Sequence, residues 1–193
     1  KGRMMEEAKV VFEDETTLIS AISRREGAPR SALLSFTGVG HKTGVLDIQQ
    51  PEFAGAGRDV DCMLFISDKT RSWGNRLNVP ALQRVIAEHA PNAQLDTLGN
   101  SMGGFLALLA PTFLPVSTAI AFAPQFSVRP DIVPFERRWT DYRRAISEWP
   151  YPSLATVWQD RTRYYVFTGR QGPDAAHADL LPHRSNLIVT RLP

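Results

Sequence analysis

A serine between two glycines is the residue group best suited to chemistry in this sequence. Gly99, Ser101 and Gly103 form a G-x-S-x-G motif, which ordinary residue usage would produce by chance only roughly 0.07 times in a chain this long. The motif follows a strand-like run and precedes the apolar run 105–110, so it lies at a strand-to-helix turn that would hold the hydroxyl out above the strand ends. Ser101 is therefore predicted to be a nucleophile, with the Met102 amide directed at the oxyanion.

Alternating apolar runs and helical patterns surround this motif and must position it. Strands are predicted at residues 8–12, 17–22, 31–36, 61–66, 94–98, 117–122, 163–167 and 186–192. A capping Asn78 followed by Pro80 predicts a helix start between the fourth and fifth strands. The alternation predicts an α/β fold, with a mostly parallel sheet, helices on both faces and an antiparallel pair at its beginning.

This order of elements resembles the α/β-hydrolase superfamily over most of the chain. The resemblance implies one domain over residues 1–193, in which the Thr37 or Gly38 amide is the second oxyanion donor. It also implies a triad in the chain order serine, acid, histidine, as in other members of that fold. Asp174, which follows the next-to-last predicted strand, is then the acid that orients the imidazole. The turn that begins at Asp68 is interpreted as structural.

The histidine base is the missing member of the implied triad. In this superfamily it follows the last strand, which places it beyond Pro193 and predicts that the C-terminus is truncated. His89 is expected to pack on a helix, His41 to lie in a solvated loop and His183 to precede the last strand. His177, one helical turn after the predicted acid, is the fallback base within the chain.

A segment rich in tryptophan and arginine lies between the sixth and seventh core strands. Residues 125–161 are too few for a separate core and are interpreted as a lid-like insertion. Its large apolar residues at helical spacing are Trp139, Tyr142, Ile146 and Trp149. This spacing predicts a helix whose aromatic face covers the pocket or the core. Arg143 and Arg144 would then face solvent or an anionic substrate group.

Composition excludes several other function classes. With 22 Lys+Arg and 20 Asp+Glu the net charge is +2, a weak basis for nucleic-acid binding. The apolar stretches are too short to span a membrane, and Cys62 is the sole cysteine, so no internal disulfide or cysteine-based metal site is predicted. The Gly38-x-Gly40-x-x-x-Gly44 run lacks a well-supported following helix, and no H-E-x-x-H occurs. No cofactor and no metal are predicted, and the cytoplasm is the expected location, unless a signal peptide has been removed.

The function predicted from the sequence is that of a serine hydrolase. It would act on a small-molecule ester or thioester through an acyl-enzyme intermediate. The alternative is a non-catalytic α/β-hydrolase-like protein that binds a ligand or partner through the insertion 125–161. A third possibility, a nicotinamide-dependent reductase, requires a helix directly after Gly44.

Overall fold

The computed structural model describes residues 7–43 and 46–193, except for the side chains of residues 41–47. Its strands are β1 (Lys9–Glu13), β2 (Thr17–Ser23), β3 (Ser31–Phe36), β4 (His41–Thr43), β5 (Leu46–Ile48), β6 (Cys62–Asp68), β7 (Gln94–Asn100), β8 (Val116–Phe122), β9 (Arg163–Gly169) and β10 (Leu187–Leu192). The α-helices are α1 (Val79–His89), α2 (Met102–Leu109), α3 (Thr140–Ala145) and α4 (Gly172–Asp179). All eight predicted strands are present, with bounds shifted by up to two residues.

Eight of the strands form one mixed sheet in the order β1-β2-β6-β3-β7-β8-β9-β10. The pairs β1–β2 and β2–β6 are antiparallel, and every other pair in this sheet is parallel. The predicted α/β architecture with an antiparallel beginning is therefore confirmed. Among the described residues, no helix is long and apolar enough to cross a membrane.

Alternate residues along the strands divide between two hydrophobic clusters. The larger cluster contains Leu34, Ile66 and Val166, and the apolar residues of α1, α2 and α4 pack into it. The smaller cluster contains the intervening strand residues, such as Leu33 and Phe65, and is covered in part by side chains from the connection between β5 and β6. Because strand side chains alternate in direction, the two clusters occupy opposite faces of the sheet.

The chain after the first glycine-rich loop does not form the helix that a dinucleotide site needs. Gly44 itself lies outside the described residues, but the chain continues as strand β5, which pairs with β4 in a separate two-stranded sheet. A dinucleotide loop places the pyrophosphate at the N-terminus of a helix that follows the glycines at once. The reductase interpretation therefore has no structural support.

The insertion between β8 and β9 differs from its predicted form. Helix α3 has only six residues and ends before Ile146, so the expected helix does not extend to Trp149. Arg143 does not face solvent: it is buried, donates from Nε to the Val128 carbonyl at 2.7 Å and donates from Nη1 to the Glu136 carbonyl. Arg144 is exposed, as predicted. Arg143 therefore stabilises the insertion through these hydrogen bonds, and its guanidinium does not face solvent, where an anionic substrate would bind.

Candidate active site

The carboxyl ends of six parallel strands, β6, β3, β7, β8, β9 and β10, lie side by side at one end of the sheet. Phe36 at the end of β3 pairs with Gly99 of β7, and Asn100 pairs with Phe122 at the end of β8. Further along, Gly169 at the end of β9 pairs with Leu192 of β10. The loops after these strands must therefore emerge side by side, which is where open α/β sheets bind ligands.

Ser101 occupies a strained turn between β7 and α2. Its φ of 56° and ψ of −121° lie in a region that residues other than glycine rarely adopt. The turn requires both flanking glycines, because a Cβ at Gly99 would lie 2.1 Å from the Gly103 carbonyl oxygen. A Cβ at Gly103 would lie 2.1 Å from the Phe36 carbonyl oxygen. This close contact of three backbone segments is the geometry of a nucleophile elbow.

The Ser101 hydroxyl accepts a hydrogen bond from a buried glutamine. Gln125 Nε2 lies 3.3 Å from Ser101 Oγ and 3.3 Å from the Ala123 carbonyl oxygen. On its other side, the Gln125 Oε1 atom accepts from Trp73 Nε1 at 2.9 Å. An indole nitrogen can only donate, so Trp73 fixes which end of the amide faces the serine.

The three predicted oxyanion donors lie in different environments. The Met102 amide is the first of α2 and, like other amides in the first turn of a helix, has no acceptor within the helix. The Gly38 amide donates to Glu52 Oε1 at 3.0 Å. Thr37 does not fit its predicted role, because its amide donates to the Ile66 carbonyl at 2.9 Å and thereby extends the pairing of β3 with β6.

Glu52 places a carboxylate against the loop that follows β3. The backbone carbonyl of Glu52 accepts from the buried Ser35 hydroxyl at 2.7 Å, which fixes the residue beside the sheet edge. Burial raises the pKa of the Glu52 carboxyl, and the hydrogen bond from Gly38 opposes that shift only in part. A Cβ at Gly38 would lie 3.1 Å from Glu52 Oε1 and 3.2 Å from the Asn100 carbonyl oxygen. The carboxylate therefore lies next to the strand that delivers the serine.

His177 is buried, and both of its ring nitrogens contact residues other than Ser101. Its Nδ1 accepts from the Phe126 amide at 3.1 Å, so the neutral ring carries its proton on Nε2. That Nε2 lies 2.9 Å from Glu136 Oε2, and both side chains are fully buried. With both ring nitrogens engaged, the fallback role as a base for Ser101 is not supported.

Asp174 belongs to the same ionic network. It lies in the first turn of α4, half-buried, and accepts from Arg138 Nη2 at 2.7 Å. Arg138 also binds both oxygens of Glu136. Burial opposes ionisation of Glu136, but the hydrogen bonds from His177 and Arg138 hold the pKa of that carboxyl well below its usual range. Glu136 is therefore ionised at neutral pH.

The remaining residues singled out from the sequence have no described hydrogen bond to Ser101. His89 is half-buried at the end of α1, His183 is exposed, and the side chain of His41 lies outside the described residues. Asp68 accepts hydrogen bonds from the Thr70, Ser72 and Gly74 amides, which agrees with a structural turn. Among the side chains that the structure describes, no group of three or more His, Cys, Asp or Glu residues could hold a metal ion.

Sequence reasoning missed three residues that shape this site: Gln125, Glu52 and Glu136. Gln125 carried a usable signal, since it is a polar residue three positions after a strand that ends at the edge bearing the motif. Glu52 lies in a connection without periodicity, and Glu136 in an irregular part of the insertion, so neither had a local signal.

Comparison with solved structures identifies the architecture. The capsule O-acetyltransferase of Neisseria meningitidis serogroup A superposes with a TM-score of 0.66 and 14% sequence identity, covering 94% of this chain and 84% of that one. A serine hydrolase without a lid from Xanthomonas campestris gives 0.59 and 12%, over 97% and 84% of the two chains. Acetyl xylan esterase 1 from a Thermoanaerobacterium species gives 0.54 and 14%, over 97% and 80%.

Comparison by sequence with other proteins does not find these similarities. No protein-family model matches the chain, and no curated protein matches it by sequence. The names of the structural neighbours nevertheless refer to related enzyme classes: serine hydrolases, esterases and an acetyltransferase. The chain therefore has the α/β-hydrolase fold.

Proposed function

We propose that this chain is a serine hydrolase that transfers an acyl group from an ester through Ser101. The observation that carries the proposal is the Ser101 backbone, with φ 56° and ψ −121°, at a strand-to-helix turn where two glycines permit close backbone contact. Such strain costs about 1–3 kcal/mol and persists where function requires it. A plain helix N-terminus would have no need for it.

In the proposed reaction, Ser101 Oγ attacks the carbonyl carbon of the ester while its proton passes to a base. The tetrahedral oxyanion accepts hydrogen bonds from the Met102 amide and from the Gly38 amide, once the latter is released from Glu52. The intermediate then collapses, the alcohol leaves with the proton, and the acyl group remains on Oγ. Water or another hydroxyl removes it in the second half-reaction.

The proposed acid is Asp174, and the proposed base is a histidine in the position that this fold provides after its last strand. Support comes from the register of β10, since Leu192 pairs with Gly169 and the two strands run parallel. A segment that continues from β10 thus emerges beside the loop that leads to Asp174, on the same edge as Ser101. Arg138 donates to the Oδ1 atom of Asp174, so the proposed histidine would donate to the Oδ2 atom.

A short acyl group is the proposed substrate feature. The names of two structural neighbours, a capsule O-acetyltransferase and an acetyl xylan esterase, both refer to acetyl groups. On this chain the buried Gln125 amide contacts Ser101 Oγ and the half-buried Glu52 carboxylate contacts the Gly38 amide, so the proposed site is lined by polar groups. An acetyl ester is accordingly the first substrate to test.

Ser101→Ala is expected to abolish covalent labelling by a fluorophosphonate probe. The probe reacts with activated serines, so the full natural chain should be labelled once per molecule and the variant not at all. Intact-protein mass spectrometry measures the adduct, and Ser127→Ala, at a buried serine whose hydroxyl donates to the Pro152 carbonyl, is the control. Labelling that persists in Ser101→Ala would place the nucleophile elsewhere. No labelling of the wild type would favour the alternative, a non-catalytic binding protein.

Glu52→Gln is expected to raise the labelling rate at neutral pH by about tenfold, which corresponds to ~1.4 kcal/mol of barrier. The ionised carboxylate of Glu52 competes with the oxyanion for the Gly38 amide, and the neutral amide competes less. Because burial raises the pKa of Glu52, the ratio of variant to wild-type rate should fall as the pH drops through that pKa and the wild type becomes neutral. Stopped-flow labelling against pH measures this ratio, with exposed Glu88→Gln as the control. A ratio of one throughout would refute the competition.

A further inference from the structure

Gln125 is held so that only its nitrogen can face the nucleophile. Trp73 is fully buried, and its indole donates to Gln125 Oε1 at 2.9 Å. Rotation of the amide by half a turn would place the Gln125 nitrogen against the indole N–H, a contact between two donors. The glutamine is itself 1% exposed, so water cannot compensate for such a turn.

The support behind Trp73 comes from a separate part of the chain. Trp139 of the insertion packs on Trp73 with ring centroids 5.5 Å apart. The loop that carries Trp73 is fixed by Asp68, whose Oδ2 accepts from the Ser72 and Gly74 amides on either side of the indole. The amide direction at Ser101 is therefore determined by contacts that extend into both the β6 loop and the insertion.

Both hydrogens of the Gln125 amide have acceptors. One points to the Ala123 carbonyl oxygen at 3.3 Å and the other to Ser101 Oγ at 3.3 Å. Ser101 Oγ thus receives a hydrogen bond on one lone pair, which leaves its own proton to be donated to a base. A donor at this atom stabilises negative charge on Oγ and fixes the direction of the hydroxyl.

We propose that Gln125 is a catalytic hydrogen-bond donor to the nucleophile oxygen and that Trp73 is its positioning residue. In acylation the N–H offsets the charge that develops as the base removes the Ser101 proton and the bond from Oγ to the acyl carbon forms. In deacylation that bond breaks, and Oγ leaves with the electron pair before it regains the proton. The same donor assists both steps. This inference rests on the proposed function.

The test is the pre-steady-state burst of the full natural chain with p-nitrophenyl acetate. Gln125→Met keeps the side-chain length and removes the donor, so the burst rate constant and the steady-state turnover should both fall by about 10- to 100-fold, as for a hydrogen bond to a charged group. The burst amplitude per folded molecule should stay unchanged. Trp73→Phe keeps an aromatic ring and frees the amide to rotate, so both rates should fall by about fivefold.

The burst amplitude distinguishes a slower reaction from a loss of folded protein. Gln83→Met, at an exposed glutamine of α1, should leave rates and amplitude at wild-type values. Should Gln125→Met not fold, Trp73→Phe carries the test alone. A wild-type burst with unchanged rate constants in these variants, or with a lowered amplitude only, overturns the inference and leaves the proposed function standing. A wild type without any burst that depends on Ser101 overturns the proposed function and the inference with it.

Discussion

Gly103→Ala is expected to lower the free energy of unfolding by more than about 3 kcal/mol and to abolish labelling of Ser101. The added Cβ would lie 2.1 Å from the Phe36 carbonyl oxygen and 3.0 Å from the Thr37 carbonyl carbon. Both atoms are backbone at the end of β3, so no side chain can move aside. To relieve the contact, α2 must shift away from the strand, which displaces the serine and the Met102 amide together.

The neighbouring glycine provides a matched control. A Cβ at Gly104 would lie 3.1 Å from its nearest atom, the Phe122 carbonyl oxygen, and alanine is favoured over glycine in a helix by about 1 kcal/mol. Gly104→Ala should therefore change stability by less than about 1 kcal/mol and retain labelling. Urea unfolding followed by fluorescence, with labelling of the folded fraction, measures both effects. Equal losses at the two positions would mean that helix packing in general, and not the elbow, sets the cost.

The elbow and the sheet were accessible from sequence because their signals are local. The motif 99–103 combines small residues with an apolar strand before it and an apolar helix after it, and the structure has that order. The central parallel strands β3 and β6 are mostly apolar runs buried on both faces, which is a pattern that a sequence displays directly.

The environment of the loop that follows β3 could not be predicted in the same way. Whether the Thr37 amide is free depends on the register of β3 against β6, which gives it the Ile66 carbonyl as a partner. Whether the Gly38 amide is free depends on Glu52, fourteen residues away in an irregular connection. Neither partner is specified by the type or spacing of the residues nearby.

The insertion shows why helical spacing alone was a poor guide there. Trp139 and Trp149 have a spacing compatible with one helix, but Trp139 itself adopts a φ of 55° and α3 ends at Ala145. Arg143 is buried because the Val128 and Glu136 carbonyls provide acceptors for its guanidinium. Backbone carbonyls brought close by tertiary structure leave no pattern in a sequence.

The second large effect is expected for Glu136→Gln, which should lower the free energy of unfolding at pH 7 by about 3 kcal/mol. Glu136 accepts Nε2–H from His177 and hydrogen bonds from the Arg138 guanidinium on both carboxylate oxygens, and its side chain is fully buried. A glutamine of the same shape loses the charge and turns one N–H group toward one of these donors. Arg138 keeps Asp174 as a partner, which limits the loss.

The direction of the pKa shift of Glu136 determines how the free energy of unfolding should change with pH. The pKa of Glu136 is lowered on folding, so its ionised form stabilises the protein above the usual carboxyl pKa near 4.5, and that stability is lost as the pH falls toward the folded-state pKa. The gap between the wild type and Glu136→Gln should therefore be widest near neutral pH and narrow progressively in acid. Exposed Glu148→Gln, in the same insertion, should stay within about 0.5 kcal/mol of the wild type at every pH. Urea unfolding at a series of pH values measures the stability of all three proteins. If the stability difference between the wild type and Glu136→Gln stayed constant from pH 7 to pH 3, the shape of Glu136, and not its charge, would be what stabilises the insertion.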